Sequence, residues 1–206
     1  MALSRFLLVR HGQTSWNKNN KYQGQTNIPL NDIGKEQAYH ISKRLAKEKL
    51  NAVYSSDLDR AIETAHIIAK PHNLEVIPTE DMREINFGSW EGYNFEQIMR
   101  IWPEQYQKWI NDPWNYNPPG GESLGELTRR VKNFMLKTAA RHPGQNVLVV
   151  SHAGPIRAFL SVILELKKQF FWKFKISNAS LTIVNYDGEE DDSFIVTVND
   201  TSHLDI

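Results

Sequence analysis

A chain of 206 residues, 40% hydrophobic and 23% charged, carries enough apolar surface for one substantial core and reads as a single domain over 1–206. Lys plus Arg and Asp plus Glu both number 24, so no global charge draws the chain to nucleic acid or to an anionic membrane. It contains no cysteine, which removes disulfides, thiolate nucleophiles and thiolate-ligated metals together.

The opening MALSRFLLVRHG has too short an apolar stretch for a signal peptide and meets charge too soon for a membrane span, so a soluble cytoplasmic protein is expected. Leu7 to Val9 predict a buried strand that ends in Arg10 and His11, with Gly12 next. A fixed cation at the end of a buried strand is costly to desolvate, and an anion is the natural compensation. A polar loop leads to a helix near 32–48 with Ala38, Ile41 and Leu45 on one face. Asn51 to Tyr54 predict a second strand. Ser55, Ser56 and Asp57 offer a helix N-cap, and Leu58, Ala61, Ala65 and Ile68 mark the apolar face of the helix that follows, which Pro71 helps to end. Glu75 to Ile77 read as a short strand.

Residues 90–121 change character. They hold Trp90, Trp102, Trp109 and Trp114, four of the six tryptophans, and close on Pro118-Pro119-Gly120-Gly121. That composition predicts an insertion of short helices and loops, an aromatic flap over the site. Ser123 and Glu126 form a capping-box pattern that opens a helix running to about Arg141. Asn146 to Val150 are a strongly apolar strand, followed by Ser151-His152-Ala153-Gly154 and another helix. Thr182 to Tyr186 and Phe194 to Val198 read as a hairpin around the acidic turn DGEEDD. Strands alternating with helices predict an α/β fold with a mostly parallel central sheet.

Two of these strands end in a histidine followed closely by glycine, VRHG at 9–12 and SHAG at 151–154. In open α/β sheets ligands bind beyond the carboxyl ends of the strands, so both histidines are expected on one rim. The glycines would let backbone N–H groups approach a ligand, and the helix beginning at about Gly154 would aim its N-terminal amides there. Arg60, in the first turn of its helix, would reach the same place. Two arginines, two histidines and a helix N-terminus describe a site for a dianion, with phosphate the natural candidate because guanidinium forks match its oxygens. Taken alone, His11 or His152 is better read as a hydrogen-bonded structural histidine, and Arg60 as a surface residue paired with Asp57 or Asp59. Together they favour chemistry. Glu84 and Glu91 compete for a catalytic role, and either could merely pair with Arg83. Trp90, Tyr93, Trp102 and Trp109 read as packing residues of the flap. His40, His66, His72, His142 and His203 form no metal-ligand pair, and no metal is expected.

Four segments in order, RHG at 10–12, SSDLDRAIETA at 55–65, REINFGSWEG at 83–92 and SHAG at 151–154, resemble the histidine phosphatase superfamily, the phosphoglycerate mutase-like proteins. The resemblance implies a three-layer α/β/α sandwich and a phosphohistidine intermediate on His11. It implies that Arg10, Arg60 and His152 hold the phosphoryl oxygens, that Asn17, Gln23, Gly24 and Ala153 line the substrate site, and that Glu84 protonates the leaving oxygen. No cofactor is implied. Residues 84–121 contain only Arg100 and Lys108 as basic groups, where cofactor-dependent phosphoglycerate mutases carry more, so a phosphatase is expected, with such a mutase and then a sugar-bisphosphatase as the alternatives. REINFGSWEG, the W-x-x-D-P run at 109–113 and PPGGES at 118–123 resemble the bacterial α-ribazole phosphatases of cobalamin biosynthesis and their broad-specificity neighbours. The expected partner is a small phosphorylated metabolite, with the protein a monomer or homodimer. A non-catalytic phospho-ligand binder is the remaining alternative, and the completeness of the set Arg10, His11, Arg60, Glu84 and His152 speaks against it.

Overall fold

Successive residues of a strand face opposite sides, and the first strand, β1 (Ser4–Arg10), uses both. Phe6 and Leu8 enter one hydrophobic core, Leu7 and Val9 the other. The computed structural model describes residues 2–188 and 192–204. Its order is β1, a one-turn α1 (Ser15–Lys18), α2 (Asp32–Leu45), β2 (Ala52–Ser56), α3 (Asp59–Ala69), β3 (Val76–Thr79), α4 (Phe95–Ile101), α5 (Pro103–Asn111), α6 (Leu124–Arg141), β4 (Asn146–Ser151), α7 (Ala153–Ile163), β5 (Leu181–Tyr186) and β6 (Phe194–Asp200).

Six strands form one sheet in the order β3-β2-β4-β1-β5-β6; β3, β2, β4 and β1 are mutually parallel, and β5 and β6 add antiparallel pairings. Both faces are covered, which is why β1 and β4 are apolar without alternation. Ile41 and Leu45 of α2 and Ala61, Ala65 and Ile68 of α3 pack on one face. Leu127, Val131 and Phe134 of α6 and Ile156, Phe159 and Leu160 of α7 pack on the other. This is the expected three-layer sandwich. Among the described residues no helix is long and apolar enough to cross a membrane.

Strands β1 and β4 are neighbours, yet the helices that follow them, α2 and α7, go to opposite faces of the sheet. The chain therefore parts at their carboxyl ends and leaves a crevice there. Their register pairs Arg10 with Ser151, so the residues just beyond, His11 and His152, come together there, His11 at the floor and His152 behind it.

Several local expectations change. Helix α2 stops at Leu45, short of 48. The third strand covers Val76–Thr79, and its Pro78 is tolerated because β3 is an edge. The cap of α3 is not a serine or aspartate: the N-cap position is Leu58 and makes no side-chain cap bond. Ser56 turns inward to His152 and Asp57 is drawn into an ion pair with Arg83. The capping box of α6 is present as expected, Ser123 Oγ accepting from the Glu126 amide at 3.2 Å and Glu126 Oε2 from the Ser123 amide at 2.8 Å. In the 90–121 insertion Trp90, Ile98, Tyr106 and Trp109 build a small core of their own, whereas Trp114 packs against the main core with its ring 5.8 Å from Phe171. The centre of the acidic turn, 189–191, lies outside the described residues.

Candidate active site

His11 is 2% exposed and lies at the base of a cleft of about 420 Å³. Its Nδ1 lies 2.7 Å from the Gly12 carbonyl oxygen. A carbonyl only accepts, so Nδ1 carries the proton and Nε2 keeps its lone pair. Burial, with the Arg60 and Arg10 guanidinium groups near, holds the imidazole pKa well below its ordinary value, so the ring is neutral at pH 7. Asn178 donates to the His11 and Gly12 carbonyls at 3.1 and 3.3 Å and fixes this corner of the backbone.

Arg10 donates from Nη1 to the Ile176 carbonyl at 2.6 Å, and its buried Nε has no partner among the described residues. Arg60 is fully buried and donates to the Gly24 carbonyl at 2.7 Å, the Thr26 carbonyl at 2.8 Å and His152 Nδ1 at 3.3 Å. Burial lowers both arginines to about 10, leaving them charged at neutral pH. Neither is paired with Asp57 or Asp59, and among the described residues no carboxylate lies within ion-pairing distance of Arg10, Arg60 or the nearby Arg157. Three guanidinium groups share the cleft with one acidic side chain, Glu84. Such an excess is a preformed site for an anion of more than one charge.

His152 lies one layer deeper, its ring centroid 5.0 Å from that of His11 and its surface fully buried. Burial and the Arg60 charge hold it, too, well below its ordinary pKa. Because Nδ1 accepts from Arg60, the proton of the neutral ring sits on Nε2 and is donated to Ser56 Oγ at 2.9 Å. His152 does not line the cleft; it backs Arg60.

Glu84 takes the position facing the two arginines. Its Oε1 accepts from the Ile85 amide at 2.9 Å and from the Gly154 amide, at the N-terminus of α7, at 3.1 Å. Its own carbonyl is gripped by Arg130 at 3.0 Å and Gln25 at 3.2 Å, and Arg130 is in turn paired with Glu122 at 2.6 Å. Glu91, its rival, is spent on structure: its carboxylate accepts from the Gln25 and Thr26 amides, the Thr26 hydroxyl and the Phe87 amide. Arg83 pairs with Asp57 and Glu80 and with neither rival.

Asn17, Gln23 and Gly24 all line the cleft. Asn17 caps α1 with Oδ1, and Gln23 Oε1 accepts from Thr14 at 2.9 Å, which leaves both amide NH₂ groups without a partner among the described residues. Ala153 is buried as the first residue of α7 and is not part of the cleft wall. The two glycines serve differently from the expectation. The Gly12 amide donates to Thr64 Oγ1 at 3.2 Å, and a Cβ on Gly12 would lie 2.2 Å from the Gly34 carbonyl oxygen; one on Gly154 would lie 2.2 Å from Glu84 Oε1. Both admit neighbouring protein groups, and Gly154 also lines the cleft.

The flap also departs from expectation. None of the cleft-lining residues comes from 90–121; the aromatic wall is Tyr22, Phe87, Phe171 and Trp172. Asn178 and Arg157 are functional candidates that sequence reasoning missed. Arg157 carries a signal in retrospect, being the sole charge in the apolar helix α7. Asn178 carries none, because nothing in Ile176-Ser177-Asn178-Ala179 marks a residue whose partners lie over 160 positions away.

The two buried neutral histidines give the fold a pH dependence. Unfolded, each binds a proton near pH 6.5; folded, each binds it only at much lower pH. Between those values the unfolded chain holds more protons, so stability is complete above about pH 6.5 and is lost as pH falls below it. Thermal unfolding midpoints measured from pH 8 to pH 5 should fall steeply below about 6.5, and a midpoint rising with acidity would contradict neutral burial.

A model described as the histidine phosphatase superfamily (branch 1) matches residues 6–201. Phosphoserine phosphatase 1 of Hydrogenobacter thermophilus is 38% identical over 97% of this chain and 94% of its own length. Among solved structures, Bacillus stearothermophilus YhfR superposes with a TM-score of 0.90 at 28% identity, covering 98% of this chain and 100% of that one. The α-ribazole phosphatase from Shigella flexneri does so with a TM-score of 0.87 at 26% identity, covering 95% and 96%.

Proposed function

Because the chain belongs to the histidine phosphatase superfamily, and is a phosphatase, we infer that it hydrolyses a small phosphomonoester through a phosphohistidine formed on His11. The observation that carries this reading is the neutral His11 ring, its Nε2 lone pair free, set beside guanidinium groups that no carboxylate neutralises.

In the first step Nε2 forms a bond to phosphorus as the ester P–O bond breaks. The electron pair goes to the leaving oxygen, which takes a proton from Glu84 in its acid form. Arg10 and Arg60 hold the equatorial oxygens, where charge must be met without reorganisation. His152 keeps Arg60 aimed, and the NH₂ groups of Asn17 and Gln23 add neutral donors. In the second step water attacks the phosphohistidine, Glu84 accepts its proton, and His11 and phosphate are released. The nucleophile is the protein's own imidazole, so the chemistry requires no metal-activated water.

The aromatic wall supports a substrate with a planar body, of which α-ribazole 5'-phosphate is one. A second reading, phosphoserine, is favoured by Lys21 and Arg157 on the same cleft, cations that could hold a carboxylate, and by the likeness to phosphoserine phosphatase 1. A steady-state screen in chelator should separate them, with α-ribazole 5'-phosphate, phosphoserine, 3-phosphoglycerate, fructose bisphosphate and p-nitrophenyl phosphate as substrates. Turnover is expected to persist in chelator, with kcat/KM highest for the aromatic-bodied esters. Activity lost to chelator and restored by metal would overturn the mechanism, and a preference for phosphoserine would establish the second reading.

A further inference from the structure

We propose that Trp172 is a specificity-determining residue, presenting its indole face to a planar aromatic group on the substrate's leaving alcohol. The inference rests on the phosphatase reading above and adds the substrate class to it. Trp172 stands in the 3₁₀ turn Lys168–Lys173 that follows α7. Its neighbour Phe171 is buried in the main core, whereas Trp172 is 46% exposed. Among the described residues it is the only large apolar side chain that is both exposed and part of the cleft wall.

The ring is held by three neighbours and stays 46% exposed, with Arg157 over part of its face. Phe171 meets it edge-on with centroids 4.9 Å apart, and Trp109, from the small core of the flap, does so at 5.9 Å. The Arg157 guanidinium sits 5.5 Å from the ring centroid, and Arg157 is itself pinned by a 2.8 Å bond from Nε to the Phe174 carbonyl. Three neighbours therefore set the indole's orientation, and the ring lines both the cleft and an adjoining hollow walled by Trp109, Pro113 and Trp114. Tyr22 and Phe87, packed edge-to-face at 4.8 Å, line the same cleft and supply further aromatic surface. A rigid, oriented, half-exposed aromatic face beside a phosphate site is the arrangement that stacks on a planar base or ring.

The test compares 2-phenylethyl phosphate with ethyl phosphate, whose leaving alcohols are chemically alike and which differ in the ring. In the wild type the aromatic ester is expected to have the higher kcat/KM. Trp172→Ala should reduce that selectivity by about 10- to 100-fold, chiefly through KM, and Trp172→Phe should restore part of it. Equal losses on both esters, or unchanged selectivity, would overturn the proposal. So would a loss greatest on phosphoserine, which would assign this wall to a carboxylate. If the wild type hydrolysed none of these esters, the phosphatase reading itself would fall, and the two failures are thereby distinguishable.

Discussion

His11→Ala is expected to abolish turnover, by on the order of 10⁴-fold or more, in a protein that remains folded. The magnitude follows from what is lost. Without Nε2 there is no group to form the covalent intermediate, and the displacement reverts to direct attack by water on the ester. The residual rate would come from Arg10, Arg60 and Glu84, which still bind and polarise the ester. The fold should survive because the imidazole contributes little that its surroundings depend on. Its single protein bond is to the adjacent Gly12 carbonyl, and Asn178 continues to hold that carbonyl. Circular dichroism and the thermal midpoint check the fold, and initial rates check the chemistry. Appreciable turnover by rigorously purified variant would remove His11 from the nucleophile's role.

Arg60→Met is expected to lower kcat/KM by about 10³-fold while shifting the thermal midpoint by only a few degrees. Two opposing effects meet at this residue. Burial lowers its pKa to about 10, which corresponds to about 3 kcal/mol against the charged form. Removing the charge recovers that. Against it stand the Gly24 and Thr26 carbonyls and His152 Nδ1, which lose their donor at about 1–3 kcal/mol each, though Thr26 lies where water can replace it and the His152 bond is long at 3.3 Å. The terms are of similar size, so stability changes little. Catalysis has no such compensation, since nothing else in that position can meet an equatorial oxygen. The folded state thus carries a buried cation that an arriving dianion satisfies. A variant that unfolds many degrees lower, with its activity loss explained by unfolded protein, would make Arg60 a structural residue.

The parts legible in the sequence are those governed by short periods. Leu7 to Val9 and Asn146 to Val150 announce two-sided strands, and the residues after each fall on one rim because parallel strands start and stop together. The apolar faces of α2, α3 and α6 follow from helical spacing, and the four motifs in order carried the family. What stayed hidden depends on partners far along the chain. Whether Ser56 caps its own helix or turns toward His152 is decided by a residue 96 positions away. What separates Glu84 from Glu91 is the Gly154 amide beside the cleft for one and the Gln25–Thr26 turn for the other. The glycines after the two histidines suggest ligand approach, and only the packing shows that they also admit Gly34 and Glu84, with Gly154 in the cleft wall. The tryptophans of 90–121 identify an aromatic insertion, yet their spacing does not say that they face one another, leaving the cleft wall to Tyr22, Phe87, Phe171 and Trp172.

The most direct measurement is to quench the enzyme in base during turnover of a good-leaving-group ester and locate the phosphoryl group by peptide mass spectrometry. A phosphoryl group on His11, labile in acid, formed at a rate competent for turnover and absent from His11→Ala, is the expected result. Turnover with no phosphoenzyme on a competent timescale, or a phosphoryl group on another residue, would contradict the mechanism.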